Sequence, residues 1–236
     1  GKGPGVVEDY PFLRVLLVLG ECAPIEGAVV ITFSKERDLL KYLRVLLVAL
    51  MDVDGIRGYN WLGFDTTYIA RRAEKLGVPS TILRLSHVPD HLHYDRDPYS
   101  LRLQTGFFNI TRMPGTNTID LYAFFRQNYK MSSYKLDAVA STFGLEGKHP
   151  ITVAHIFHGY DGTPEERAVV AAYCAQDCDL LVHLARRSRF EVTLTQFARI
   201  MITPAELMWS SGQQIRLLNQ IVWYAHRSGF IVNRIG

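Results

Sequence analysis

Thr163-Pro164-Glu165-Glu166-Arg167-Ala168-Val169-Val170-Ala171-Ala172-Tyr173-Cys174-Ala175-Gln176-Asp177 opens the longest helical pattern in the chain, which runs on to Arg189. Thr163 suits an N-cap, Pro164 suits the first helical position, and Glu166 completes a capping box, so the start is sharp. Apolar residues then recur at helical spacing: Val169, Val170, Tyr173, Leu180, Leu181 and Leu184. Tyr173 and Asp177 are four apart and project from one face, a turn apart. Two readings of that pair stand open. One is a buried aromatic beside a solvated acid; the other is a tyrosine and a carboxylate that hold a metal and a water together.

Working outward, the chain has 236 residues, enough for one large domain or one domain plus part of another. Hydrophobic residues make up 48% and charged residues 21%, the balance of a protein with a real core. A net charge of +3 permits a nucleic-acid partner without requiring one. The three cysteines, Cys22, Cys174 and Cys178, are too few and too oddly spaced for a disulfide framework, which favours a reducing compartment. Cys174 and Cys178 share a helix face but have no further ligand on it, so a zinc site is not expected. The apolar run Leu39 to Met51 is broken by Lys41 and Arg44; it is too short for a bilayer and reads as a buried amphipathic helix. No secretory leader and no membrane partner are expected. The glycines at 1, 3 and 5 precede a strand rather than a helix, so they do not form a phosphate loop. The chain opens without Met and closes just after Phe230-Ile231-Val232, and the expectation is a fragment.

In order, Phe12 to Leu19 is predicted as a strand buried on both faces and Ala28 to Phe33 as the next. Ser34 is expected to cap a helix over Lys35 to Met51. A helix is predicted over Thr66 to Leu76, with Asp65 at its start; an N-cap is the plain reading of that aspartate. Strands are expected at Thr81 to Leu85 and Leu101 to Thr111, around a polar loop that holds His87, His91 and His93 with Asp90, Asp95 and Asp97. Its composition resembles a metal site, but a solvated hairpin tip is the favoured reading. Thr118 to Leu121 reads as a strand, then come helices at Tyr122 to Asn128 and Lys135 to Phe143, with Asp120 at the junction. Gly144 to Gly162 reads as loop around a short Val153 to Phe157 segment. After the long helix, Phe190 to Ile202 is helical, Thr203 to Glu206 reads as a second capping box, and a last helix spans Gly212 to Ser228 with a Leu217, Ile221, Tyr224 stripe. The pattern predicts an α/β fold, a sheet flanked by helices.

Several of these stretches together resemble the 3′–5′ exonuclease region of the family B DNA polymerases, most similar to the delta type. Gly58-Tyr59-Asn60 through Phe64-Asp65 resembles the second exonuclease motif, and Tyr173 through Asp177 the third, of Tyr-x-x-x-Asp form. Cys22 to Gly27 is similar to the delta-type segment between the first two motifs. Asp120-Leu121 and Asn128 to Leu136 resemble the segment between the second and third. Ser211 to Arg216 is similar to the block leading toward the polymerase palm. The blocks occur in order over nearly the whole chain, with fitting gaps. The family's first motif, a strand with an Asp and a Glu, is absent, and so is the palm with its carboxylates.

The resemblance implies an RNase H-like exonuclease domain over residues 1–190, incomplete, followed over 191–236 by a helical connection to an absent palm. It implies a parent DNA-directed DNA polymerase with proofreading by two-metal phosphodiester hydrolysis, using Mg²⁺ or Mn²⁺. Asp65 and Asp177 would be metal ligands and Tyr173 would orient the attacking water. Asn60 and Phe64 would contact the terminal nucleotides of the primer 3′ end. Accessory subunits and a sliding clamp would be partners, and the nucleus or a viral replication site the location. With two of four acids absent, the chain alone is expected to be inactive. Two other readings remain: a stand-alone 3′–5′ exonuclease, or an inactive polymerase-like scaffold or DNA-binding module.

Overall fold

The Val- and Leu-rich run at residues 15–19 extends as strand β1 (Val15–Leu19) and pairs in parallel with β2 (Val29–Phe33). The computed structural model describes residues 12–78, 99–103, 106–110, 116–146 and 152–232. Only Val18 of β1 is fully buried, not both faces as predicted. Among the described residues this sheet has two strands. Helix α1 (Glu36–Arg44) follows, with Lys35 rather than Ser34 at its N-cap and no side-chain capping bond. The single helix predicted to Met51 changes pitch and continues as a π-helical stretch, Val45–Leu50, closed by Met51 N–H donating to Leu46 O at 2.8 Å. β-Branched Val45 and Val48 weaken the α-helical preference there. Val45, Leu50 and Met51 are exposed and Leu40 is buried, so this stretch does not form the buried amphipathic helix expected.

A second parallel pair joins β3 (Gly55–Gly58) to β6 (Asn117–Asp120), with Gly58 opposite Asp120. Helix α2 (Asp65–Lys75) leaves the carboxyl end of β3 through a tight turn. An antiparallel hairpin, β4 (Tyr99–Leu103) and β5 (Gly106–Ile110), divides the predicted 101–111 strand in two. Among the described residues the strands form three two-stranded sheets, so the α/β class holds while one continuous flanked sheet is not seen. The strand predicted at Thr81 to Leu85 and the histidine-rich loop at 87–97 lie outside the described residues.

Asp120 caps α3 (Leu121–Asn128), which precedes α4 (Leu136–Thr142). Residues read as loop form a further helix, α5 (Val153–Asp161), because the Thr152 hydroxyl caps it by accepting from the His155 N–H at 3.3 Å. Helix α6 (Pro164–Arg187) starts with the predicted capping box: Thr163 N–H donates to Glu166 Oε2 at 2.8 Å, and Glu166 N–H donates back to Thr163 Oγ1 at 3.3 Å. Three more helices follow: α7 (Phe190–Met201), α8 (Ala205–Ser210) and α9 (Gln213–Arg227). The second capping box does not form. Pro204 is the N-cap of α8, and the Thr203 hydroxyl donates instead to Met201 O at 2.9 Å. The α9 stripe is outside the core, with Leu217 57%, Ile221 50% and Tyr224 62% exposed.

α6 is the spine of the molecule. Its first turn receives the Cys22 to Gly27 block, where Ala23 N–H donates to Pro164 O at 3.0 Å and Arg167 reaches Glu21 O and Gly162 O. In its third quarter Asp179 accepts from Arg14 Nε at 2.9 and 3.0 Å. Near its end Leu184 enters the main core with Leu62, Ile119, Leu121, Phe125, Phe190 and Trp209. The inward stripe is Ala171, Ala175, Leu180 and Leu184, while Val169, predicted on the apolar face, is exposed. By length and composition alone α6 meets the requirements for a bilayer span. Asp177 and Asp179 lie well inside it, and such charges are costly in hydrocarbon.

Candidate exonuclease site

The second-motif residues occupy the turn between β3 and α2. Gly58 is required by the turn: a Cβ there would drive into the Trp61 side chain, which folds back over the strand end. Asn60 adopts the left-handed conformation, φ 57°, which asparagine tolerates better than most residues. Phe64 N–H donates to Asn60 O and Thr66 N–H to Trp61 O, both at 2.9 Å, while Thr66 Oγ1 donates to Leu62 O at 3.0 Å. Leu62 is 1% exposed and pins the turn into the main core. Tyr59 adds a second anchor, donating through its hydroxyl to Tyr134 O at 2.6 Å.

The turn delivers two candidate residues to the surface. Asp65 is the first residue of α2, not its N-cap, which is Phe64. A carboxylate in a first turn faces the positive end of the helix. Asp65 is on the surface, yet the surrounding protein pushes its pKa up by desolvation, partly offset by a bond to its own backbone N–H. Phe64 is 64% exposed and its ring stacks on Tyr68, itself 56% exposed, at 6.3 Å with the planes 8° apart. Tyr68 escaped the sequence reading. Its spacing of four from Phe64 on a predicted helix was the available clue.

Asp120 is the other residue whose role the sequence did not reveal. It is 1% exposed and its carboxylate gathers three backbone donors: Asn60 N–H at 2.8 Å, Leu62 N–H at 3.1 Å and Tyr122 N–H at 3.0 Å. Burial pushes its pKa up to about 6, against the opposing pull of the backbone N–H groups around it. An aspartate directly before a helix was legible as a cap; its two bonds to a turn sixty residues away were not.

Tyr173 and Asp177 lie one turn apart on α6, both half-buried. Cys178, next to Asp177, is exposed, yet desolvation by the surrounding protein, and then neighbouring negative charge, raise its thiol pKa. Asp65 and Asp177 are hard oxygen donors, the ligand type a small divalent cation prefers. Among the described residues no group of three or more His, Cys, Asp or Glu gathers that could hold a metal ion.

Comparison with known proteins matches residues 4–139 to the exonuclease domain of DNA polymerase family B. The DNA polymerase delta catalytic subunit of Bos taurus is 33% identical over 227 residues, 95% of this chain and 20% of that protein. Those of Arabidopsis thaliana and Dictyostelium discoideum are 32% and 30% identical, over 91% and 94% of this chain and 20% of each relative. The chain thus spans about a fifth of the length of the curated relatives it matches. The matched span contains the whole β3–α2 turn with Asn60, Phe64 and Asp65, and the relatives' similarity runs on through α6 and beyond; this chain belongs to the family B DNA polymerases and carries their exonuclease region.

Proposed function

We propose that this chain is the proofreading 3′–5′ exonuclease portion of a replicative DNA polymerase, with an RNase H-like domain over residues 1–190 and a connection toward the polymerase module over 191–236. Asp65 and Asp177 would hold divalent cations, Mg²⁺ or Mn²⁺. Bound there, such ions activate water at neutral pH and stabilise the leaving oxygen of a phosphodiester. The Tyr173 hydroxyl, one turn from Asp177, orients the attacking water by a hydrogen bond. Phe64, exposed and backed by Tyr68, stacks on an unpaired base, since every base offers a π-face. Asn60 contacts the terminal nucleotide from the turn. DNA with an unpaired primer 3′ end is the substrate class, and the setting is wherever DNA is replicated. Accessory subunits and a clamp are further partners of the parent protein.

The observation that supports this most is the β3–α2 turn, which sends the exposed Phe64 and Asp65 outward within the stretch that matches the family B exonuclease domain. The test uses the polymerase that contains this chain, with Asp65→Ala or Asp177→Ala. Excision of a mismatched primer terminus should be lost while extension of a matched primer is kept. Excision at the parent rate in both variants would overturn the reading.

A further inference from the structure

The buried carboxylate of Asp120 takes no part in the chemistry proposed above, yet it accepts three backbone hydrogen bonds. One oxygen, Oδ1, accepts from Asn60 N–H at 2.8 Å and from Tyr122 N–H at 3.0 Å. The other, Oδ2, accepts from Leu62 N–H at 3.1 Å. A helix cap needs only one of these three bonds. The remaining two run to the β3–α2 turn, on either side of Trp61. They grip the segment that holds Asn60 left-handed and sends Phe64 and Asp65 outward. The strand register brings the parts together, because Asp120 lies opposite Gly58, where a Cβ would collide with Trp61. A carboxylate is the side chain that suits this place: it is all acceptor, and three N–H groups point at it. An amide would turn a donor toward one of them.

The geometry points to Asp120 as a positioning residue of the exonuclease site, which fixes the turn presenting Asn60, Phe64 and Asp65 by bonding the backbone of Asn60 and Leu62. This rests on the exonuclease reading for what the turn presents, but the bonds themselves can be tested without it. The bonds of its carboxylate run to the backbone of Asn60, Leu62 and Tyr122. Its effect is transmitted through the backbone, and a displacement of about 1 Å at such a site lowers turnover about a hundredfold.

The experiment compares the full 236-residue chain with Asp120→Ser and Asp120→Asn, by amide hydrogen exchange and by the broadening that millimolar Mn²⁺ causes at the Asp65 and Thr66 amides. Serine retains a cap for α3 and has no second oxygen for the turn. In Asp120→Ser the Tyr122 amide should keep its protection, while the Asn60 and Leu62 amides exchange about tenfold faster or more. Broadening at Asp65 and Thr66 should weaken in both variants, which a purely stabilising role would not produce in a protein that stays folded. Unchanged exchange at Asn60 and Leu62 would overturn the proposal. So would faster exchange with Mn²⁺ broadening intact. If Mn²⁺ fails to broaden Asp65 in the unsubstituted chain, the exonuclease reading is what suffers, and the exchange comparison still decides whether Asp120 holds the turn.

Discussion

Replacing Asp120 by asparagine keeps the shape of the side chain and removes its titration, which exposes the balance between two opposing effects. Desolvation raises the pKa of this buried acid, and the backbone N–H groups around it lower it; desolvation wins and leaves the value at about 6. In the unfolded chain an aspartate titrates near 3.9. The folded state therefore binds the proton more tightly, and between these two values the unfolded state is the one that has released it. Stability must then fall as pH rises from about 4 to about 6, and stay level with respect to this group above that. The gap of about two pH units corresponds to about 3 kcal/mol. The assay is urea unfolding of the parent and of Asp120→Asn at half-unit steps from pH 4 to pH 8. Groups common to both proteins cancel in the difference. The parent should lose about 2 kcal/mol relative to Asp120→Asn between pH 4 and pH 6.5, the rest of the change lying below pH 4, with a plateau above. A difference that is flat, or that grows in the parent's favour with rising pH, would refute the reasoning. The second outcome would mean that the N–H groups outweigh burial, as they do in carboxylates held well below the ordinary range.

Four further outcomes are expected. Phe190→Ala should destabilise by about 3–5 kcal/mol in chemical unfolding, because Phe190 is fully buried and meets Phe124 edge-on at 5.4 Å. Thr163→Ala removes half of the capping box at the start of α6 and should cost about 1 kcal/mol; an unchanged midpoint would mean that the turn at residues 21–23 holds the helix end unaided. Tyr173→Phe deletes one hydroxyl, and in the polymerase containing this chain it should lower excision about a hundredfold while leaving extension intact. Tyr68→Ala removes the ring behind Phe64 and should weaken binding of a single-stranded oligonucleotide about tenfold in a fluorescence titration. Equal affinity would show that Phe64 stacks without support.

Local signals were read well where the cause was local. The start of α6 formed as predicted because Thr163, Pro164 and Glu166 settle it within one turn. The helix predicted over Thr66 to Leu76 was placed to within a residue, because its period and its start lie in its own sequence. The misses arose where the outcome depends on a distant partner or its lack. The Leu217, Ile221, Tyr224 stripe has the spacing of a buried face, but no described element covers it. Thr203 is followed by Pro204 and Glu206 as a capping box would be, yet its hydroxyl bonds Met201 and receives the Asn219 side chain at 3.1 Å instead. The helix over residues 153–161 lacks a strong apolar period, and its packing on α6 is a tertiary contact.

The sequence by itself determined the family and the candidate residues, because ordered motifs and their spacing are properties of the linear chain. Asn60, Phe64, Asp65, Tyr173 and Asp177 could all be named from it. Only the tertiary structure decided how these residues are held. The pairing of β3 with β6 sets Asp120 against a turn sixty residues away, and the fold brings the Tyr59 hydroxyl to Tyr134 O. No pattern along the chain encodes either contact. Burial and hydrogen-bond partners are set by what the fold lays alongside a residue, and a carboxylate gathers three backbone donors only after separate strands have been brought into register.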